Sequence, residues 1–348
     1  MSGSDIEKIV EELTSGANVQ YATWHYLLTS LTATQKDFLR NEAVRVAKKH
    51  FGNGIYIRGL IEISSYCKNN CYYCGLRCSN SHAKRYRLSH EDILRCCHNG
   101  AESGFNTFVL QGGEDPVQND EWIADIVGKI KNEFPDKAVT LSVGERSDDA
   151  YTAFRNAGAD RYLLRHETRD EGHYAMLHPQ TMSAQNRRRC LFKLKELGFQ
   201  TGSGMMIGSP GQTTEHLIAD LQFLEELEPQ MIGIGPFIPS TGTPFQNNAA
   251  GSVDNTILIV SLLRLRFPKA LIPATTALST LSEQGSERAI LAGANVIMPN
   301  LSPIGVREKY SIYNNKKING SESAQQLQLL QDKLNAIGYH INYARGDY

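Results

Sequence analysis

Three cysteines on one short segment have the residue type and the spacing to bind iron. Cys67, Cys71 and Cys74 follow the pattern Cys-x3-Cys-x2-Cys directly after an apolar run. Thiolates are the usual protein ligands of iron–sulfur clusters, and three of them can hold three irons of a 4Fe-4S cluster. The fourth iron would then be open to a substrate. The spacing therefore predicts a catalytic cluster with these three cysteines as its ligands.

A fourth nearby cysteine allows a competing metal site. Cys78 follows Cys74 by four residues, so four thiolates could instead bind a structural zinc ion. Zinc sites favour two separated Cys-x2-Cys pairs, whereas these cysteines share one continuous segment. We therefore prefer the iron–sulfur interpretation, with Cys78 as a bystander or a neighbour of the cluster. Cys96, Cys97 and Cys190 fall in helical patterns, where buried thiols act as small apolar residues.

The overall composition is that of a globular protein with a sizeable core. The chain has 348 residues, 41% of them hydrophobic, and its 36 basic and 37 acidic residues give a formal net charge of −1. This balance would attract neither nucleic acid nor an anionic membrane, so we expect neither partner. The sequence starts without the apolar core of a signal peptide, and no apolar run reaches the roughly 20 residues of a membrane helix. Seven cysteines crowded near one segment then indicate a cytoplasmic, reducing location.

Strand and helix patterns alternate around the cysteines. Residues 4–50 are helical, with Thr32 and Gln35 spaced as a capping box, and predict an N-terminal helical cap. Eight apolar or β-branched runs follow, at 55–63, 107–110, 138–143, 162–164, 204–207, 231–238, 270–274 and 294–298. Helical patterns lie between them, at 89–103, 122–134, 149–157, 183–197, 215–227, 255–267 and 284–291.

This alternation predicts an α/β fold with parallel strands. Eight βα units favour a (β/α)8 TIM-type barrel, although an open doubly wound sheet has the same pattern. We expect the helical cap at 1–50, the barrel at 51–305 and a C-terminal helical extension at 306–348 that closes the barrel. In such a barrel the active site lies where the strands end, so polar residues there are the candidates.

The cysteine spacing, its place after the first strand and the aromatic Tyr73 before the last cysteine resemble the radical S-adenosylmethionine superfamily. The resemblance implies that the open iron chelates the amino acid end of S-adenosylmethionine. An electron then enters the sulfonium, and methionine and a 5′-deoxyadenosyl radical form. The cluster supplies this chemistry, while the protein orients the reactants and excludes water.

Longer sequence segments, spread along most of the chain, resemble the HydE family of iron-only hydrogenase maturases. They end successive predicted strands, at residues 74–77, 84–87, 110–116, 162–168, 208–213, 233–239, 272–277 and 297–300. The resemblance implies a radical maturase that acts on a small iron complex of cysteine, carbon monoxide and cyanide. Its implied partners are a reductant such as flavodoxin or ferredoxin and other hydrogenase maturation proteins.

Residues at the strand ends are candidates for S-adenosylmethionine binding. Gly112 and Gly113 allow the backbone to approach a ligand closely, and Glu114 can accept hydrogen bonds from an ammonium group. A lone Gly-Gly-Glu is more often a simple turn, so its position after the second strand carries the argument. By resemblance, Glu167 and Arg187 bind the ribose hydroxyls and the carboxylate of the cofactor. The other implied cofactor residues are Tyr73, Gln111, Ser142 and Met206.

A second set is implied to hold the substrate inside the barrel. Arg165 lies two residues before Glu167, so both side chains should project to one side of the fourth strand. A guanidinium inside a barrel needs a polar ligand or partner. By resemblance, Arg165 binds a small anionic ligand together with Thr275, Thr276 and Tyr313. Thr140, Met231 and Tyr310 are further implied cavity residues, although Met231 or Tyr310 alone would more often fill the core.

One departure from the family and three alternatives remain. Many members carry a second cysteine cluster near the C-terminus, but here no cysteine follows Cys190, so we expect no auxiliary cluster. The nearest alternative is a radical mutase resembling methylornithine synthase, which rearranges lysine in a similar barrel. Biotin synthase is more remote because its further cluster needs cysteines that the later strands lack. An iron–sulfur carrier or electron-transfer protein would have no need of Glu114, Glu167 and Arg187.

Overall fold

The structure, a computed structural model, describes residues 3–318 and 323–348. The described chain begins with the helices α1 (Gly3–Thr14), α2 (Tyr21–Thr29) and α3 (Ala33–Phe51). At the start of α3 the Thr32 hydroxyl accepts the Gln35 N–H at 3.3 Å, and the Gln35 side chain accepts the Thr32 N–H at 2.9 Å. The helical pattern of this part of the chain and the capping box of α3 are confirmed.

Parallel strands form the centre of the fold. The sheet strands are β2 (Gly59–Ser64), β3 (Thr107–Gly112), β4 (Ala138–Ser142), β5 (Arg161–Leu163), β6 (Gln200–Ser203) and β8 (Met231–Ile232), paired in that order. The helices that alternate with them are α4 (His90–Glu102), α5 (Asp120–Glu133), α6 (Asp148–Asn156), α7 (Glu171–Leu177), α8 (Ala184–Glu196), α9 (Thr214–Leu227) and α10 (Val253–Arg266). All neighbouring pairs in this sheet are parallel, as βαβ connections require.

Isolated parallel bridges close this sheet into a barrel. Met231 of β8 bridges to Leu271, Pro273 bridges to Val296, and Asn300 bridges back to Leu60 of β2. The segments 270–274 and 294–300 thus occupy the seventh and eighth strand positions. The (β/α)8 barrel is confirmed, and the open doubly wound sheet is wrong because the two edges meet.

Three predicted strands are interrupted. The run 55–63 is split at Arg58, and its first part, β1 (Gly54–Ile57), pairs instead with β10 (Val296–Ile297) and β11 (His340–Asn342). The run 231–238 is split into β8 and β9 (Gly235–Pro236). The run 204–207 keeps only β7 (Met206–Ile207), which pairs with β9. The actual fifth barrel strand, β6, was missed because Gln, Thr, Gly and Ser give no apolar signal.

A close backbone contact explains two of these interruptions. Gly204 has φ 155°, and a methyl group added to it would lie 1.9 Å from the Gly233 carbonyl oxygen. Two neighbouring strands therefore touch at this level, bend together and pair again as β7 and β9. The seventh position is irregular for another reason, since Pro273 has no N–H to donate to a ladder.

The last third of the described chain adds several short helices. These elements are α11 (Thr276–Leu281), α12 (Gly285–Ile290), α13 (Ile304–Arg307), a 3-10 turn (Ala324–Gln326) and α14 (Leu327–Ala336). Helix α10 is buried along most of its length and packs against α3 and α1, so the N-terminal helices share one core with the barrel. Among the described residues no helix is long and apolar enough to cross a membrane.

Candidate active site

A long loop carries the cysteines across the carboxyl end of the barrel. This cysteine loop, residues 65–88, connects β2 to α4. The Arg85 guanidinium donates to the carbonyl oxygens of Ser65 at 2.5 Å, Leu76 at 2.9 Å and Arg77 at 2.7 Å. One arginine thus ties the beginning of the loop to its middle, and the cysteines lie on the part between these contacts.

Gly113 allows β3 to end directly against this loop. A methyl group added to Gly113 would lie 2.3 Å from the Tyr66 carbonyl oxygen and 2.6 Å from Cβ of Cys67. The neighbouring Gly112 ends β3 opposite Ser64. The close approach of these glycines to a ligand stays a prediction, and Gly113 also approaches the backbone of the cysteine loop. Any side chain at this position would displace Cys67.

The three predicted ligands are free, partly buried thiols. Burial raises the pKa of Cys67 and Cys71, and raises that of Cys74 to about 12; the charge of a neighbouring thiolate raises the pKa of Cys71 and Cys74 further. Three thiolates here therefore need a cationic group for stability. The Cys71 sulfur also lies 3.6 Å from that of Met182. This donor set fits a group that binds all three sulfurs.

The zinc alternative needs ligands that converge on one point. Cys78 is exposed, and its backbone N–H donates to the Asn69 carbonyl oxygen at 2.9 Å. Within residues 3–318 and 323–348, no three His, Cys, Asp or Glu side chains converge where a single metal ion could bind. A cubane cluster has a different requirement, because each cysteine binds a different iron.

Glu114 is fixed beside the cysteine loop at the end of β3. Its side chain is 7% exposed, accepts the Glu145 N–H at 2.8 Å and lies 3.3 Å from the Lys68 ammonium. A methyl group on Gly144, whose φ is 80°, would lie 2.2 Å from Cγ of Glu114. The glycine therefore leaves room for the carboxylate. Glu114, Lys68, Glu145 and Asn186 line one polar cleft of about 410 Å³.

Arg187, on α8, pairs with Glu145, a residue of this cleft that the sequence analysis did not identify. Its Nε lies 2.5 Å from Oε1 of Glu145, and its Nη1 donates to the Arg165 carbonyl oxygen at 3.0 Å. Asn186 donates to the other Glu145 oxygen at 2.5 Å. Glu145 follows the end of β4 by three residues, and that position is the signal that could have found it.

Arg165 and Glu167 lie together, although not for the predicted reason. Nη2 of Arg165 is 2.9 Å from Oε1 of Glu167. We expected strand alternation to place them side by side, but β5 ends at Leu163 and Glu167 has a left-handed φ of 65°. The left-handed turn at Glu167 brings its carboxylate to the Arg165 guanidinium. Oε2 of Glu167 is buried and has no hydrogen-bond partner among the described residues.

The Tyr73 side chain contacts His178, a residue that the sequence analysis did not identify. The Tyr73 hydroxyl lies 3.2 Å from Nε2 of His178, and the rings meet edge to face at 5.4 Å. Nδ1 of His178 lies 3.1 Å from the Tyr174 carbonyl oxygen. Burial and the charge of Arg187 lower the pKa of His178 to about 3, so the ring is neutral, donates from Nδ1 and accepts from Tyr73. Met206 packs against Tyr73 in the same small apolar cluster.

Two threonines of the predicted substrate set have buried hydroxyls without a hydrogen-bond partner in the described part of the chain. Val139 and Leu141 pack into the outer core, so alternation turns Thr140 and Ser142 of β4 to the inside of the barrel. Oγ1 of Thr140 and Oγ1 of Thr275 are buried, and neither has a hydrogen-bond partner in the described part of the chain. Both are free to bind a ligand.

Tyr310 and Tyr313 come from a segment that covers the mouth of the barrel. The Gln111 amide lies 3.3 Å from the Tyr310 hydroxyl, and Gln111 is opposite Ser142 in the sheet register. The Ile312 carbonyl oxygen, next to Tyr313, accepts the Gly75 N–H of the cysteine loop at 2.9 Å. Residues predicted for cofactor and for substrate thus meet at Gln111 and Tyr310. Thr276 begins α11 directly after Thr275.

Met231 lies lower in the barrel than the other predicted substrate residues. Its sulfur accepts a hydrogen bond from Arg58 Nη1 at 3.0 Å. It packs with Leu271 and Val296 in a separate small cluster. Arg58 directly precedes β2, so the contacts of Met231 lie toward the amino ends of the strands and away from the cysteine loop.

Comparison with known proteins agrees with this geometry. A family model described as the Radical SAM superfamily matches residues 61–224. A curated relative from Thermotoga maritima, "[FeFe] hydrogenase maturase subunit HydE", is 44% identical over 299 residues, covering 84% of this chain and 84% of the relative. A "3-methylornithine synthase" from Methanosarcina acetivorans is 30% identical, covering 85% and 84%. The solved structure of methylornithine synthase (PylB) superposes with a TM-score of 0.84 at 26% identity, covering 97% of this chain and 98% of that one.

The chain therefore belongs to the radical SAM superfamily, whose members use a 4Fe-4S cluster and S-adenosylmethionine. Within that superfamily it is a HydE-like enzyme, at 44% identity. The residues fit the implied groups: the three thiols of the cysteine loop need a cationic partner, and Glu167 has a buried carboxylate oxygen without a hydrogen-bond partner among the described residues.

Proposed function

We propose that this enzyme acts as a hydrogenase maturase whose substrate is a small anionic iron complex of cysteine, carbon monoxide and cyanide. The observation that carries the proposal is a pair of buried hydroxyls, those of Thr140 and Thr275, that have no hydrogen-bond partner among the described residues. Arg165, just after β5, is the cation that we assign to the same ligand. A buried polar group left without a partner costs about 1–3 kcal/mol. A bound ligand that accepts hydrogen bonds would recover this cost, and the Arg165 donors that its ion pair with Glu167 leaves free would also bind it.

The cofactor end of the site would be formed by residues around the cysteine loop. Bound to Cys67, Cys71 and Cys74, the cluster would supply the electron that cleaves S-adenosylmethionine to methionine and a 5′-deoxyadenosyl radical. Glu114, fixed by the Glu145 N–H, would accept hydrogen bonds from the cofactor's ammonium group.

Arg187 and Glu167 would orient the two ends of the cofactor. Arg187 would bind the carboxylate through donors that its contacts with Glu145 and the Arg165 carbonyl oxygen leave free. Oε2 of Glu167 would accept hydrogen bonds from the ribose hydroxyls, while Oε1 keeps its ion pair with Arg165. Two side chains fixed in this way would set the position of the 5′ carbon relative to the barrel interior.

The remaining members of the site would complete the cavity. Tyr73, Gln111, Ser142 and Met206 would pack around the cofactor, and Thr276, Tyr310, Tyr313 and Met231 around the substrate. We expect one cluster only, since no cysteine follows Cys190. We also expect a cytoplasmic location, a reductant such as flavodoxin or ferredoxin, and contact with other hydrogenase maturation proteins.

A methylornithine synthase activity is the second candidate, supported by the 30% identical relative and by the TM-score of 0.84. The test incubates anaerobically reconstituted enzyme with S-adenosylmethionine, a reductant and either the iron complex or lysine. The maturase proposal expects the iron complex to be consumed and no rearranged amino acid to form. The infrared bands of carbon monoxide and cyanide measure the consumption of the complex. Formation of methylornithine from lysine with an unchanged iron complex would reject the proposal in favour of the mutase.

A further inference from the structure

Arg165 and Glu167 lie on a turn rather than on a strand, so strand pairing alone does not hold them. This turn, which we call the strand-end turn, comprises residues 164–169 after the end of β5. The Glu167 N–H donates to the Gly204 carbonyl oxygen at 3.1 Å. Glu167 also has a left-handed φ of 65°, which is uncommon for a residue other than glycine. A residue in this conformation needs further contacts that stabilise it.

A serine of β6 and an aspartate of α9 hold the strand-end turn from outside it. The Ser203 hydroxyl oxygen accepts the His166 N–H at 3.3 Å and lies 2.9 Å from Nδ1 of the same histidine. Nε2 of His166 lies 3.4 Å from Oδ1 of Asp220. The same Asp220 oxygen accepts the Arg169 N–H at 2.5 Å. Asp220 therefore contacts the turn at two points, a side chain in its middle and the backbone at its end.

The donors and acceptors of this buried group can be assigned. The Ser203 oxygen accepts from a backbone N–H, so its single hydrogen is available for Nδ1 of His166. A neutral ring that accepts at Nδ1 carries its proton on Nε2, which faces the Asp220 carboxylate. At 3.4 Å this contact is longer than an ordinary hydrogen bond, whereas the contact of Asp220 with the Arg169 N–H is short. The Arg169 N–H is therefore the main anchor of the turn.

Asp220 is buried deeply enough for these contacts to matter. Its side chain is 0% exposed, as is Ser203, and His166 is 1% exposed and packs edge to face against Phe223 of α9 at 4.9 Å. Burial of a carboxylate costs free energy that its contacts must offset. Among the described residues, the hydrogen bond and the ion pair of Asp220 both go to the strand-end turn. The carboxylate therefore fixes this turn on α9.

We propose that Asp220 is a positioning residue for the cofactor, because it holds the turn that places the Glu167 carboxylate. This inference rests on the proposed function, in which Oε2 of Glu167 accepts hydrogen bonds from the ribose hydroxyls. Asp220 contacts neither cofactor nor substrate in this account and acts through the backbone of the strand-end turn. Without it, the turn would lose its anchor at Arg169, and Glu167 would no longer be held at the distance that its hydrogen bonds to the ribose require.

The test compares two buried carboxylates of α9. Glu225 is 4% exposed, pairs with Arg266 at 2.7 Å and accepts the Val19 N–H at 3.4 Å, so it joins α9 to other parts of the fold. Asp220→Ala and Glu225→Ala each remove a buried carboxylate from the same helix, and denaturant unfolding compares their stabilities. On reconstituted proteins of equal iron content, calorimetry should show roughly tenfold weaker binding of S-adenosylmethionine for Asp220→Ala and unchanged binding for Glu225→Ala.

Asp220→Asn is the conservative variant, which keeps an oxygen that can accept the Arg169 N–H. It should fold as the wild type does and bind S-adenosylmethionine with nearly wild-type affinity, because the hydrogen bond to the turn is preserved. Binding by Asp220→Asn as weak as that by Asp220→Ala would show that this hydrogen bond does not position Glu167, and the inference would be wrong.

A double-mutant cycle with Glu167→Gln shows whether Asp220 acts through Glu167. Asp220→Ala should weaken binding in the wild-type background but have little further effect in Glu167→Gln protein, since the two residues then act on one contact. Additive effects, or equal weakening by Asp220→Ala and Glu225→Ala, would overturn the inference. Weak binding by Glu167→Gln with normal binding by Asp220→Ala would also overturn it and leave the proposed function intact. Normal binding by Glu167→Gln would instead reject the proposed ribose contact, and the inference would fall with it.

Discussion

Arg165 and Glu167 form one ion pair that joins the proposed substrate and cofactor sets. Nη2 of Arg165 lies 2.9 Å from Oε1 of Glu167, whose Oε2 is buried without a partner in the described structure. Removing Arg165 would leave a buried carboxylate without its cation, at a cost of several kcal/mol. An Arg165 variant would therefore disturb cofactor binding as well as substrate binding. The barrel threonines allow a cleaner separation.

Thr275→Val should weaken substrate binding without destabilising the protein. The substitution keeps the shape of the side chain and removes a buried hydroxyl that has no partner in the described structure. The free energy of unfolding should stay the same or rise by about 1 kcal/mol, while substrate affinity falls roughly tenfold. Denaturant unfolding and a titration with the iron complex measure the two effects.

Thr256→Val is the matched control for this variant. Thr256 is fully buried in α10, and its hydroxyl donates to the Ser252 carbonyl oxygen at 2.8 Å. Its replacement should cost about 1 kcal/mol of stability and leave substrate affinity unchanged. If Thr275→Val loses stability as Thr256→Val does and binds substrate normally, the hydroxyl of Thr275 has a structural role only.

Arg187→Ala should weaken binding of S-adenosylmethionine without removing iron. Loss of a charge-assisted hydrogen bond costs about 1.5–3 kcal/mol, which corresponds to roughly ten- to more than a hundredfold in affinity. Arg189→Ala, on the same helix, is the control, because Arg189 is about half exposed and pairs with exposed Asp148. Calorimetry on reconstituted proteins measures both. Equal affinities for the two variants would contradict the assigned role of Arg187.

Gly113→Ala should reduce cluster incorporation. Its methyl group would lie 2.3 Å from the Tyr66 carbonyl oxygen, so the cysteine loop must move. Gly128→Ala, in α5, adds a methyl group with nothing within 4 Å and should stabilise the helix by up to about 1 kcal/mol. Iron and sulfide analysis after reconstitution compares them. Full incorporation in Gly113→Ala would show that the loop tolerates a shift of Cys67.

Acid should destabilise the protein partly through His178. Burial lowers the pKa of His178 to about 3, whereas a histidine in the unfolded chain titrates near 6.5. Between these values the unfolded state binds a proton that the folded state does not, so stability is retained above about pH 6.5 and lost as the pH falls. His178→Gln lacks this proton. Its free energy of unfolding should fall less steeply with pH, by up to about 1.4 kcal/mol per pH unit, and parallel slopes would contradict the assignment.

Elements with strong local patterns could be predicted from the sequence. The capping box of α3 and the alternation of strands with helices carry their own signals, and the cysteine spacing needs no tertiary information. β6 could not be predicted, because its buried residues Thr201, Gly202 and Ser203 have no strand pattern of their own. Pairing with neighbouring strands makes this segment a strand. Strand bending at Gly204 likewise depends on contact with Gly233, which is distant in sequence.

Site residues divide in the same way. Residues inside phrases typical of the family, such as Glu114 and Arg165, could be named in advance. Glu145 and His178 could not, because each acts by holding another side chain, and such a pair exists only after folding. The covering contact of Ile312 with Gly75 also joins segments more than 200 residues apart.

Iron content and S-adenosylmethionine cleavage, measured together on one set of cysteine variants, test the account most directly. Anaerobically reconstituted wild-type protein should contain about four irons and four sulfides and release 5′-deoxyadenosine when reduced. Cys67→Ala, Cys71→Ala and Cys74→Ala should lose both properties, and Cys78→Ala should keep both. Loss of cluster and cleavage in Cys78→Ala equal to that in the other three, or a wild-type cluster that releases no 5′-deoxyadenosine, would contradict the assignment of a three-cysteine radical enzyme.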